Sequence, residues 1–209
     1  RSSQKALRTL IDLGLVEAPN AESVSLHPAI RSWLYQQLPL DRRSELHLCA
    51  ANQLAERSRF TLAAHHYVQA GQPAMALWTW YNHRHQEIAQ GQGSAALELF
   101  LPLLQTALPN AEDQRVLALL IAQLSSPAGQ AQTGLAALNR LAWSDHSPSS
   151  AQAQQLRAEL LTDIGEIDGA LAEYRRSLET VHSLRSTQEI DLRKQISRRA
   201  LWYLHDLPQ

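Results

Sequence analysis

Four glycines in this chain are each followed five residues later by a small residue and nine residues later by a large apolar one. They are Gly71/Ala76/Trp80, Gly91/Ala96/Phe100, Gly129/Gly134/Leu138 and Gly165/Ala170/Tyr174. An alanine stands seven residues before three of them: Ala64, Ala122 and Ala158. Glycine takes the left-handed turn that ends one helix and starts the next. The small residues let paired helices approach closely, and the large one fills the groove between neighbouring pairs. Repetition of such a unit predicts a stack of helix pairs, an architecture whose usual work is binding.

The 209 residues are 44% hydrophobic and 19% charged, with a net charge of −1. This is globular composition, and near-neutrality removes the electrostatic argument for a whole-chain nucleic-acid binder. A single cysteine, Cys49, cannot form an internal disulfide, so nothing requires an oxidising compartment. Lying among Leu46, Leu48, Ala50 and Leu54, it is expected to be a buried, inert thiol. No apolar run reaches the ~18 residues of a membrane span and no basic-then-apolar leader is present, so no membrane partner and a cytoplasmic location are expected. The first residue falls inside a helical pattern, which predicts that the chain is part of something longer.

Residues 1–39 differ in character from 40–209, and the two are read as separate domains. Ala6, Leu7, Leu10, Ile11 and Leu13 follow helical spacing up to Gly14. The stretches Leu15–Glu17 and Ser23–Leu26 flank Pro19–Asn20 and predict a β-hairpin. His27–Pro28 then opens a helix that stops before Pro39. Helix, hairpin, helix is the order of the C-terminal part of a winged helix. From Asp41, a predicted cap, only helical signals follow: to about Leu54, then Thr61–Ala70, Pro73–Gln90, Gly93–Ala107, Glu112–Leu124, Ala128–Trp143, Ala151–Ile164, Ile167–Leu184 and Thr187 to about His205. Ser144–Ser150 reads as a loop. The steps from Gly91 to Gly129 and from Gly129 to Gly165 are 38 and 36 residues, near the ~34 of a tetratricopeptide unit. The step from Gly71 to Gly91 is 20 residues, one helix long, so the array is irregular in its middle. The fold expected is all-α: a right-handed superhelical array of three to four tetratricopeptide-like helix pairs, preceded by part of a winged helix.

The run Gly165-Glu-Ile-Asp-Gly-Ala-Leu-Ala-Glu-Tyr-Arg-Arg-Ser-Leu closely resembles the second helix of a tetratricopeptide repeat, and Gly71-Gln-Pro-Ala-Met-Ala-Leu-Trp-Thr-Trp resembles it moderately. A second resemblance joins Leu13-Gly-Leu-Val-Glu, the wing, Val24-Ser-Leu-His-Pro-Ala-Ile-Arg-Ser-Trp-Leu and Ala63-Ala-His-His-Tyr-Val-Gln-Ala-Gly-Gln-Pro-Ala-Met-Ala-Leu. In that order they look like MalT-type regulators of the STAND class of signal-transducing ATPases. The resemblance implies an upstream ATPase module in cis, a winged helix, and a helical-repeat sensor. It implies that His27 faces the phosphates of bound ADP in the resting parent, where an imidazole can donate to a phosphate oxygen. The reading from the residues alone is a histidine satisfying a backbone group at a helix start, and both stand open here. ADP or ATP is thus a cofactor of the implied parent. This chain has no G-x-x-x-x-G-K-[S/T] loop, so neither a cofactor nor ATP hydrolysis is expected of it.

Other constellations carry less. Among the nine histidines, His65–His66 are adjacent and His83/His85 are two apart, so neither pair shares a helix face; surface histidines rather than a metal site are expected. No G-x-S-x-G elbow accompanies Ser147, Ser149 and Ser150. Glu166 and Asp168 suit a helix start. Glu17 and Glu22 on the wing oppose DNA binding despite Arg1, Lys5 and Arg8. Arg193, Lys194, Arg198 and Arg199 are read as a solvated face, and Leu201-Trp-Tyr-Leu204 as a surface awaiting further repeats or another chain. The expected function is the sensing arm of a STAND-type regulator, binding a protein, peptide or small-molecule inducer and coupling it to the winged helix. The alternative is a stand-alone tetratricopeptide-like adaptor. The first helix of each pair is expected to line the inner face, presenting Arg59, His65, Gln69, Gln123, Gln155 and Glu159.

Overall fold

The computed structural model describes residues 2–20, 23–106, 108–143 and 147–183. The expected helix from Thr187, its basic cluster and the Leu201–Leu204 run lie outside the described residues. Within them the protein is mostly helical, with eleven α-helices and one antiparallel hairpin. α1 (Ser2–Asp12) leads into β1 (Val16–Asn20) and β2 (Ser23–Leu26), which pair Val16 with Leu26 and Glu17 with Ser25. α2 (Pro28–Gln37) follows, with Pro28 at its first position.

The rest is helix on helix: α3 (Leu40–Glu56), α4 (Phe60–Gln69), α5 (Pro73–Asn82), α6 (Arg84–Ala89), α7 (Gly93–Phe100), a 3-10 turn (Leu101–Gln105), α8 (Ala111–Ser125), α9 (Ala131–Asn139), α10 (Pro148–Asp163) and α11 (Ile167–Ser183). Packing links α3 with α4, α4 with α5, α8 with α9, and α10 with α11.

The glycine pattern has a direct structural cause. Gly71, Gly91, Gly129 and Gly165 all have φ between 68° and 82°. At each, the glycine N–H reaches back three residues and the next N–H reaches back five: Gly71 to Val68 O (3.0 Å) and Gln72 to Tyr67 O (2.9 Å), for example. This is the Schellman arrangement, which satisfies carbonyls that a helix end leaves open. A Cβ on any of these four would meet nothing within 4 Å. They are glycine for backbone conformation, not for space.

The same turn occurs once without glycine. Ser58, with φ 56°, is the one non-glycine at positive φ among the described residues. Its N–H donates to Ala55 O (2.9 Å) and that of Arg59 to Leu54 O (2.9 Å). The flanking residues complete the motif, with Ala51 seven before, Ala63 five after and Tyr67 nine after, all buried. This fifth unit escaped the sequence pattern because serine occupies the glycine position. Gly134 is the opposite case. It lies within α9, and a Cβ there would stand 2.8 Å from Leu160 Cδ1 and 3.0 Å from Ser125 Cβ, so α9 approaches α8 and α10 through a gap only hydrogen fills.

Several boundaries differ from expectation. Pro73–Gln90 is not one helix: it breaks at His83, whose ring stacks on Phe60 (centroids 3.5 Å, 10° between planes). The exposed carbonyls are taken by side chains, Thr79 O by His83 Nδ1 (2.8 Å) and Tyr81 O by Arg84 Nη1 (2.9 Å). Gly93–Ala107 shortens to Phe100 and tightens into the 3-10 turn at Pro102, which has no N–H to continue an α-helix. Helix α9 is confined to Ala131–Asn139. Asp41 lies in the first turn of α3 rather than capping it. Pro148 opens α10, whose cap is the Ser147 hydroxyl accepting from Ser150 N–H (3.1 Å).

Helix α8 is the centre of the core: ten of its fifteen residues are buried, Val116 to Ala122 without interruption. One side meets Leu77, Leu97, Phe100 and Leu103 in a cluster that extends through α4 and α5. The other meets Leu138, Leu156 and Leu160. Beside the first cluster, the buried Glu87 carboxyl accepts from Thr61 N–H (2.9 Å) and from the Thr61 hydroxyl, which itself accepts from Trp80 Nε1 (2.9 Å). A polar group buried without partners is expensive; here α4, α5 and α6 satisfy one another.

Two substitutions test these turns and contacts by urea unfolding. Ser58→Gly removes a left-handed non-glycine residue and is expected to stabilise the protein by about 1 kcal/mol. Gly134→Val overpacks the α8–α9–α10 contact and is expected to destabilise it by about 2–3 kcal/mol.

Candidate functional site: an aromatic cleft between α5 and α11

An open cleft of about 610 Å³ runs between the α5–α6 corner and the α10–α11 pair, with α8 as its floor. Trp78 and Tyr81, three apart on α5, present one face to it, and Arg84 closes the corner at the start of α6. Glu112, Val116 and Leu119, spaced by four and three, form the floor. Gln152 and Gln155 from α10 with Ser177 and Val181 from α11 make the far wall. A smaller cavity of about 250 Å³ lies behind, among Leu103, Leu108, Leu117 and Ala137.

The aromatic wall is fixed in place. Trp78 Nε1 donates to Asp113 Oδ1 (2.7 Å), setting the indole plane from α8. Tyr81 meets Trp78 edge to face, with centroids 5.8 Å apart and planes at 87°. The Arg84 guanidinium lies 4.2 Å from the centroid of the Tyr81 ring while its Nη1 holds Tyr81 O. Its Nε is sealed from solvent without a hydrogen-bond partner. Among the described residues no carboxylate lies within ion-pair reach of Arg84, whereas Glu112 faces Arg115 at 3.7 Å. On the far wall Gln155 Nε2 donates to Glu159 Oε1 (3.2 Å), and Ser177 Oγ donates to Ala151 O (2.9 Å), tying α11 to α10. Flat aromatic faces, a cation and two amides suit reversible recognition of a ligand with an apolar face and polar edges.

Of the residues expected on the inner face, Gln155 lines this cleft and Glu159 holds it from one turn away. Arg59, His65 and Gln69 are exposed at or along α4, which contributes nothing to the lining, and Gln123 is half-buried on α8 outside it. The aromatic wall of this cleft comes from α5, the second helix of its pair, and part of the far wall from α10, the first of its own. His27 is the exposed N-cap of α2, its Nδ1 accepting from Ala29 N–H at 3.4 Å. Trp78, Tyr81 and Arg84 were missed, although their spacing of three would have marked a shared helical face.

Two further expectations fail. Cys49 is exposed, not buried, with Gln53 Nε2 3.8 Å from its sulfur. The histidines are not all surface residues: His47 and His66 are half-buried, their Nδ1 atoms 2.8 Å apart, and the Tyr35 hydroxyl sits 2.9 Å from His47 Nε2. Among the described residues no three His, Cys, Asp or Glu side chains gather as a metal site, and no helix is long and apolar enough to cross a membrane. In comparisons with protein-family models, curated proteins and solved structures, no family model, curated protein or solved structure matches this chain.

Proposed function

We propose that this protein is the sensing arm of a STAND-type regulator, a tetratricopeptide-like superhelical array whose cleft between α5 and α11 takes an inducer or partner. The observation that carries the reading is the cleft wall of Trp78, Tyr81 and Arg84, rigidly held and without a protein carboxylate for its cation among the described residues. A ligand would lay an apolar or aromatic face on the Trp78 and Tyr81 rings and set an acceptor against Arg84, with Gln152 and Gln155 at its edges. Because α5–α6 and α10–α11 form opposite walls, such a ligand would fix the spacing between the two ends of the array. A ligand shifts a conformational equilibrium only through its difference in affinity for the two states, and a cleft that spans separate helix pairs meets that condition.

The regulator half of the reading is supported by residues 10–40. Leu13 is 64% exposed, Trp33 60% and Leu40 77%, and α2 has no buried residue. This part, read as the tail of a winged helix, would dock against the ATPase module in cis, with ADP or ATP bound by that module and His27 available to its phosphates. The adaptor reading shares the cleft but needs no nucleotide.

Two outcomes are expected. Chemical-shift mapping against short peptides, oligosaccharides and small organic acids should find a class that perturbs the Trp78 indole and the Gln155 amide. Arg84→Ala should weaken that ligand at least tenfold, about 1.4 kcal/mol; ligands that perturb only residues outside the cleft would sink the assignment. The coding sequence upstream of Arg1 should specify a Gly-rich Lys-Ser/Thr phosphate loop. If it specifies none, the nucleotide switch is lost and the adaptor remains.

A further inference from the structure

Among the described residues that line the cleft between α5 and α11, only two are charged, and their signs are opposite. Arg84 stands at the corner where α6 begins, and Glu112 lies in the first turn of α8. The two are not within ion-pair reach of each other. Arg84 uses only Nη1, on Tyr81 O (2.9 Å). Glu112 meets Arg115 at 3.7 Å, an i,i+3 contact with the side chains 54% and 36% exposed. A pair so exposed is worth little, so the Glu112 carboxylate can exchange Arg115 for a cation in the cleft. The aromatic rings lie between the two charges. Asp113, next to Glu112 in sequence, holds the Trp78 indole at 2.7 Å, and the Arg84 guanidinium lies 4.2 Å from the Tyr81 centroid. The wall therefore runs from Glu112 past Trp78 and Tyr81, whose centroids are 5.8 Å apart, to Arg84.

Each charge selects a different end of a ligand. A guanidinium pairs with a carboxylate through charge-assisted hydrogen bonds. A carboxylate beside an indole pairs with an ammonium, which the ring quadrupole also attracts. The reverse placement is repelled at both ends, so the orientation is fixed. Length follows from the wall. An extended chain covers at most about 3.5 Å per residue, so two or three residues pass both rings. A single amino acid, whose ammonium and carboxylate sit on one carbon, is too short to meet both charges. The opposite wall presents Gln152 and Gln155. An amide is both donor and acceptor, which matches the alternating N–H and C=O edge of a peptide backbone.

We propose that the cleft is a site for a short free peptide of two or three residues, held by its terminal ammonium at Glu112 and Trp78 and by its terminal carboxylate at Arg84, with an apolar side chain on the Trp78 and Tyr81 rings. This names the ligand class of the cleft and rests on the reading of that cleft as a binding site. The interior of a longer polypeptide brings neither terminus, and an uncharged sugar brings neither charge. Capping one terminus removes one charge and leaves its protein partner facing a neutral group.

The experiment equilibrates the full chain with three pools of the same tripeptides, with Phe, Tyr, Leu or Ile at the centre and Ala on either side. One pool has both termini free, one is N-acetylated and one is C-amidated. Equilibrium dialysis with mass spectrometry measures binding, and the Trp78 indole resonance reports where it occurs. The free pool is expected to bind at least tenfold more tightly than either capped pool and to shift the Trp78 indole. Glu112→Gln should bind the free and acetylated pools alike, and Arg84→Gln the free and amidated pools alike, with far-UV helicity unchanged in both. Arg84→Lys, which keeps the charge, should still prefer the free carboxylate. A capped pool that binds as tightly as the free one while shifting Trp78, discrimination that survives Glu112→Gln or Arg84→Gln, or binding by none of the pools overturns the peptide and leaves the cleft open to another ligand class. Peptide binding that leaves Trp78 unmoved overturns the cleft as well.

Discussion

The architecture depends on a pair of backbone hydrogen bonds closed around one left-handed residue. In that conformation a residue turns the chain through a helix end while satisfying two carbonyls that would otherwise need water. The turn fixes where the next helix begins, so the residues five and nine positions later face the core: Ala63 and Tyr67, Ala76 and Trp80, Ala96 and Phe100, Gly134 and Leu138, Ala170 and Tyr174 are all buried. Local geometry at one residue thereby sets the packing of two helices. The cleft follows from it, since Trp78 and Tyr81 can line a wall only because the turn at Gly71 has already committed Ala76 and Trp80 to the interior.

What the sequence made legible was governed by this local rule. The four glycine turns, the helix pairs around them and the β-hairpin before α2 could be read because each is specified by a few neighbouring residues. Ser58 could not, since serine carries no mark of positive φ and only the flanking Ala51, Ala63 and Tyr67 betray it. The break at His83 depends on Phe60, 23 positions earlier, and the 3-10 turn at Pro102 was passed over for a longer apolar period. A helical period shows that a helix has two faces and not which neighbour each will meet. Gln155 was named and Trp78 was not for that reason: the indole of Trp78 is held half-exposed by Asp113, 35 residues away.

The polar contacts divide by reach. Thr61, Glu87 and Trp80 form a closed set in the interior, with each donor matched, and they lock three helices into one arrangement. Tyr35, His47 and His66 form an open chain near the surface, whose donors and acceptors can reverse direction. The first kind makes a helix group rigid. The second kind ties α2 to α3 and α4 through groups that can exchange donor and acceptor roles, and it stands between the helix array and a hairpin-bearing segment with exposed Leu13, Trp33 and Leu40.

Helix α8 has a consequence of a different order. A stack in which each unit touches only its neighbours melts in instalments from its ends. Here one helix packs on α5, α7, α9 and α10, and it contributes Leu120 and Ile121 to one core and Leu119 and Ala122 to the other. Neither half can open without stripping the same seven consecutive buried residues, Val116 to Ala122. The protein is modular in its turns but shares one buried helix between its two cores, and a truncation that stops short of α8 would uncover the apolar faces of α5 and α7.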